Sequence, residues 1–163
     1  MRDIDIRHAG PADLIVLEQV FGPFQAGVYR RRLELPGRVL IASVDRRPAA
    51  AMFVSTGMPD EPEIVEHLGR VPMLHRLMVV SHRRRTGLAT HLIAAAEAGL
   101  REQGYREVAV GVDLENTVAL RLYDRAGYQE WSHGRLKTFR EHLDADGNVR
   151  ITPDECLVFH KDL

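Results

Sequence analysis

Apolar and polar positions along the chain change rhythm several times, and each rhythm predicts an element. Ile4 and Ile6 alternate with charged residues, the period of a half-buried strand, and Gly10-Pro11 ends it. In PADLIVLEQVF, Leu14, Leu17 and Phe21 recur at helical spacing behind a proline suited to a first helical turn. A weaker helix is expected from Phe24 to Leu33, stopped before Pro36-Gly37. RVLIASV (38–44) and PAAAMFVS (48–55) predict a hairpin around DRRP. From Thr56 to Pro72 the pattern gives way to Pro, Gly and Glu, which predicts a loop with at most one helical turn.

The signal strengthens from Met73. MLHRLMVV becomes apolar on both faces towards its end, as a strand covered on both sides would be. Leu88, Leu92, Ile93, Ala96 and Leu100 then mark one face of an amphipathic helix that ends near Gly104. REVAVGV reads as a buried strand, and NTVALRLYDRAG as a short helix capped by Asn116 and closed by Gly127. Together these make a βαβ unit with a right-handed crossover. Two further strands, roughly Tyr128 to His142 and Glu155 to Lys161, are expected around the turn at Asp146-Gly147.

Composition narrows the class. At 163 residues the chain suits one domain, residues 1–163, and a domain of that size buries about two-thirds of its unfolded surface. Lys+Arg number 22 and Asp+Glu 23, for a net charge of -1, so the chain as a whole has no affinity for nucleic acid through bulk charge. The single cysteine, Cys156, excludes an internal disulfide and suits a reducing compartment. The first ten residues lack a signal-peptide core, and no long uninterrupted apolar run occurs, so a cytoplasmic protein without a membrane span is expected.

Local charge is more informative. SHRRRTGLATHLI, residues 81–93, sets three consecutive arginines where the first predicted helix of the stronger region begins. A helix N-terminus carries unsatisfied N–H groups and about half a positive charge, so arginines there call for an anion. Gly87 and Ala89 lack bulky side chains where those N–H groups converge, which makes a nest for phosphate or pyrophosphate. A solvated basic turn would give the same residues.

Arg84-x-x-Gly87-x-Ala89, preceded by RLMVV and followed by THLI, resembles the acyl-CoA-binding motif of the GNAT superfamily of N-acetyltransferases. NTVALRLYDRAGYQE resembles the second signature of that family, in the expected order. The resemblance spans about residues 73 to 130. It implies an α/β (α+β) fold whose central sheet, mixed and mostly antiparallel, is flanked by helices and splayed at the acyl-CoA site.

The same resemblance implies the ligands of acetyl-CoA. Its pyrophosphate would lie on the loop and helix start formed by Arg84, Arg85, Thr86, Gly87, Leu88, Ala89 and Thr90. The pantetheine arm would pair with the backbone of Leu77, Met78 and Val79, much as an added strand would. Arg83 and Arg85 either reach the adenosine 3′-phosphate or are solvated. Asn116 would contact the pantetheine arm, cap its helix, or do both.

Tyr123 matches the family tyrosine that protonates the departing thiolate, although it also shares a packing face with Leu120. At the position where many members carry a general-base Glu stands Met73, which accepts no proton. His75, two residues on and on the same strand face, is the nearest titratable substitute, with Glu63, Glu66 or a water chain as alternatives. The expected reaction is acetyl transfer from acetyl-CoA to a primary amine of a small molecule or peptide, by direct attack. A catalytically silent acyl-CoA sensor of the same fold is the alternative. Glu61, Glu63 and Glu66 would either make the acceptor entrance acidic, favouring a cationic amine, or simply be solvated.

The remaining motifs predict less. The eight histidines include no pair at metal-site spacing, and no metal is expected. Asp144, Asp146, Asn148 and Glu155 fall at four positions of a calcium loop, but the glycine stands at the fourth position and Val149 where the loop needs it, so a hairpin turn is expected. Cys156 sits in the apolar CLVF, with no base beside it, and reads as a buried small hydrophobe. Exposed edge strands in the tail would allow a homodimer.

Overall fold

The computed structural model describes residues 2–163. Its strands are β1 (Ile4–His8), β2 (Gly37–Val44), β3 (Arg47–Ser55), β4 (Met73–Val79), β5 (Glu107–Asp113), β6 (Gln129–Glu130), β7 (Leu136–Leu143) and β8 (Val149–Asp162). The helices are α1 (Leu14–Phe21), α2 (Pro23–Arg32), α3 (Pro62–Leu68), α4 (Leu88–Glu102) and α5 (Thr117–Arg125). They flank one mixed sheet of order β1-β2-β3-β4-β5-β8-β6, with β7 also paired to β8. Only β4 and β5 run parallel; every other pairing is antiparallel.

Side-chain alternation divides the core between the two faces of the sheet. Leu40, Ala42, Met52, Val54, Leu74 and Val110 pack with α4 and with Tyr123 of α5. On the other face Val39, Ile41, Ala51 and Phe53 meet Leu17 of α1 and Ala26 and Tyr29 of α2. Farther along that face, Met73, Ala109 and Val158 pack with Ile64 of α3. The two residues of the β2–β3 turn, Asp45 and Arg46, both have positive φ, of 49° and 68°, the backbone that matches the twist of a tight hairpin.

Three expectations change. The segment from Thr56 to Pro72 contains α3, a helix of two turns started by Pro62 and anchored by the buried Ile64. The first predicted helix opens as a 3₁₀ turn over Pro11–Asp13, where Asp13 is bonded back to Gly10 N–H. The tail strands also have other bounds. Residues 131–135 leave the ladder after β6, with Trp131 Nε1 donating to Gly134 O at 2.6 Å, whereas β8 begins at Val149. The tail turn is the hairpin expected: Asp144 accepts from the N–H groups of Asp146 and Asn148, both at 2.9 Å, and from Arg150 Nε at 2.8 Å.

Among the described residues no helix is long and apolar enough to cross a membrane.

Candidate active site

The parallel pair β4–β5 is where the sheet opens. Met73 pairs with Ala109 and Leu74 with Val110, and there the pairing stops, although β4 continues to Val79 and β5 to Asp113. β4 stays attached to β3, and β5 to β8, so the two inner edges beyond Leu74 and Val110 carry backbone groups with no strand opposite. Val80 N–H donates to Ala49 O at 2.9 Å. Alternation therefore turns the N–H and C=O of Val79 towards the gap. Arg84 Nε donates to that Val79 carbonyl at 3.3 Å.

A bulge sets what β4 presents to each face. His75 pairs with Phe53 and Met78 with Ala51, so Arg76 and Leu77 together stand opposite Met52, and Arg76 has φ 55°. The bulge turns two successive side chains, His75 and Arg76, to the α1–α2 face: the His75 ring stacks on Phe53 at 5.9 Å, and the Arg76 guanidinium lies 5.8 Å from the centre of the Phe24 ring. Leu77 and Val79 remain with the α4–α5 cluster, while Met78 joins the α1–α2 cluster. Tyr29 of α2 holds the bulge, its hydroxyl donating to Arg76 O at 2.7 Å.

At the mouth of the gap the chain makes a 3₁₀ turn over Ser81–Arg83, passes through Arg84 in extended and Arg85 in left-handed conformation (φ 62°), and enters α4 at Gly87 with φ 82°. Gly87 has no side chain to cap the helix, and the first N–H groups of α4, those of Leu88, Ala89 and Thr90, have no intrahelical acceptor. This is a concave set of donors at the positive end of a helix dipole. Thr86 Oγ1 donates to Arg83 O and stiffens the turn, and His91 Nδ1 bonds Gly87 O at 2.8 Å. Leu88 is buried, so only its backbone faces the turn; Arg84, Arg85, Thr86 and Thr90 are exposed.

Asn116 caps α5, its Oδ1 accepting from Ala119 N–H at 3.1 Å. Tyr123, two turns on, is buried on the α4 side, and burial pushes its phenol up. Among the described residues its hydroxyl has no hydrogen-bond partner, while its ring lies edge-on to Tyr128 at 5.3 Å. Beneath that pair is a buried network absent from the sequence reading. Glu97 of α4 accepts from Tyr128 hydroxyl at 2.9 Å and from Lys161 Nζ at 3.1 Å, and Lys161 also donates to Ala126 O at the end of α5 at 2.8 Å. The signal for it was a carboxylate on the apolar face of α4, one turn from Ile93 and adjacent to Ala96.

His75 and Tyr123 thus occupy opposite faces of the sheet, with the β4–β5 gap between them. On the His75 face lies a cavity of about 190 Å³, lined among others by Arg32, Phe53, Asp60, Glu61, Met73 and His75. Burial pushes the His75 imidazole down to about 4; Arg32 and Arg76 lower it further and Asp60 opposes them. Glu61 Oε1 accepts from Thr138 hydroxyl at 2.8 Å. Glu63 and Glu66, on α3, are exposed and do not line the cavity. Cys156 lies behind Gly111, buried, with its thiol pushed up to about 12 by burial and nearby carboxylates. Among the described residues no three His, Cys, Asp or Glu side chains come together as metal ligands.

Comparison with known proteins bears on this arrangement. No curated protein gives a match to the sequence. Among solved structures, a ribosomal-protein-S18-alanine N-acetyltransferase from Escherichia coli is similar at TM-score 0.68 and 16% identity, covering 98% of this chain and 94% of that one. A ribosomal-protein-alanine N-acetyltransferase from Brucella melitensis is similar at TM-score 0.65 and 21% identity, over 98% and 99%. A GNAT family acetyltransferase from Elizabethkingia anophelis, solved with acetyl-CoA bound, follows at TM-score 0.67 and 14% identity, over 98% of each chain. The family model described as Acetyltransferase (GNAT) family matches residues 17–128, most of the chain, and the chain therefore belongs to the GNAT acetyltransferase family.

Proposed function

We propose that the protein, as one domain over residues 1–163, transfers an acetyl group from acetyl-CoA to a primary amine by direct attack. The observation that carries this reading is the gap beyond the Leu74–Val110 pair, edged by unpaired backbone and closed at its mouth by the uncapped N-terminus of α4. The amides of a pantetheine arm need backbone partners, which the edge at Leu77–Val79 offers; a pyrophosphate suits the donors from Arg84 to Thr90.

In the proposed reaction the amine nitrogen, reaching the gap from the cavity face, attacks the thioester carbonyl. The developing oxyanion is met by the Val79 N–H, and collapse breaks the C–S bond as the N–C bond forms. Tyr123, kept protonated by its burial, donates to the leaving thiolate, whose own basicity rises in the same apolar surroundings. His75 is uncharged throughout the neutral range and offers a ring nitrogen to the amine proton, with Asp60 and Glu61 beside it to pass charge to solvent. Positioning supplies most of the acceleration in such a site.

The reading is tested by thermal unfolding with acetyl-CoA, followed by assay of free thiol with amine acceptors. At about 100 times its dissociation constant the ligand should add roughly 2.7 kcal/mol, a rise of about 5–10 °C. Binding with no thiol released by any amine would favour a catalytically silent sensor; no binding would sink both.

A further inference from the structure

Beside the cavity several guanidiniums share one carboxylate. Arg31 and Arg32, in the last turn of α2, both face Glu141 of β7, Arg31 in a direct ion pair and Arg32 at 3.7 Å. Arg76, brought to the same face by the bulge, adds a third guanidinium within charge range of that one carboxylate. Among the described residues neither Arg32 nor Arg76 donates a hydrogen bond, although Arg32 has only 24% of its side chain exposed and Arg76 is half-buried. A planar fork of unbonded donors fits a carboxylate.

Arg32 also lines the cavity, together with His75, Asp60 and Glu61, so anion-binding and amine-accepting groups share one space. Its apolar walls include Phe53, Met58, Pro59 and Met73. At about 190 Å³ the space exceeds the ~150 Å³ that holds a benzene ring, so one ring or one branched chain fills it.

We infer that the acceptor is a free α-amino acid with an apolar side chain. Its carboxylate would lie on the guanidinium fork of Arg32, its amine between Asp60 and His75, and its side chain against Phe53 and Met73. This rests on the acetyl-transfer reading: the amine nitrogen takes the acetyl carbon and gives up its proton towards His75 and solvent, the C–S bond breaks, the thiol leaves with the proton from Tyr123, which solvent replaces, and an N-acetylamino acid is released. A polyamine has no carboxylate to offer Arg32, and a peptide N-terminus has none on its α-carbon.

The test compares phenylalanine and leucine with their amides, phenethylamine and spermidine as acceptors, reading thiol release and product mass. Two charge-assisted hydrogen bonds to the carboxylate should favour the acids over the amides by about 30- to 100-fold in kcat/KM. Arg32→Gln should abolish that preference, bringing acid and amide together. Amides or spermidine acetylated as well as the acids would overturn the proposal and leave acetyl transfer standing; bound acetyl-CoA with no amino acid acetylated would also overturn it. If acetyl-CoA does not bind, the transfer reading falls instead, and calorimetry of phenylalanine against phenylalaninamide decides the anion site: tighter binding of the acid supports it, equal or absent binding overturns it.

Discussion

The Nε of Arg84 donates to the carbonyl oxygen of Val79 at 3.3 Å, so the arginine that opens the turn into α4 is also the partner of the backbone that β5 leaves unpaired. One exposed side chain thus ties the mouth of the gap to its edge. Arg84→Met should leave stability within about 0.5 kcal/mol, because the residue is exposed. Acetyl-CoA affinity should fall about tenfold at low salt, with the difference shrinking as salt screens the lost charge. A salt-independent loss would place Arg84 in packing rather than in anion binding.

Tyr123 is buried, yet its hydroxyl bonds no described residue. Tyr123→Phe should therefore leave the melting temperature and the acetyl-CoA affinity nearly unchanged while turnover drops by on the order of a hundredfold. Wild-type turnover in this variant would reduce the residue to packing.

Glu97 is almost fully buried, and Lys161 is its counter-ion. Removing one partner leaves a buried charge unpaired, so Lys161→Met should cost about 3 kcal/mol, whereas adding Glu97→Gln should restore much of it. Denaturant unfolding of the single and double variants checks this. Equal stability of Lys161→Met and wild type would mean that the pair anchors nothing.

How far these features could be read from the sequence depends on their range. The turn at Gly87, α4 and the Asn116 cap are local: glycine, capping residue and helical period lie within a dozen positions, and each of these elements stands where expected. The bulge was written only faintly, as two polar residues, His75 and Arg76, in succession inside an apolar strand, because a bulge is decided by pairing with β3. The cavity draws Arg32 from α2, Phe53 from β3, Asp60 from a loop and His75 from β4, and no pattern along the chain joins them. Lys161 and Glu97 are likewise distant in sequence.

The half-buried imidazole of His75 makes a pH signature. Its pKa falls from the ordinary 6.5 to about 4 in the folded protein, so the unfolded chain binds the proton more readily between these values. Stability contributed by the neutral ring is present above pH 6.5 and is lost as pH falls towards 4, by up to about 3 kcal/mol. His75→Phe should flatten the stability curve across that window in acid denaturation. An unchanged slope would mean that the ring is not held neutral.

The most direct test of the central claim is amide hydrogen exchange with and without saturating acetyl-CoA. The account predicts that the N–H of Val79 and those of Leu88, Ala89 and Thr90 slow by about tenfold or more, while the β1–β2 hydrogen bonds are unaffected. Exchange at these four amides left unchanged in the presence of bound acetyl-CoA would contradict the assignment of the β4–β5 gap as the acetyl-CoA site.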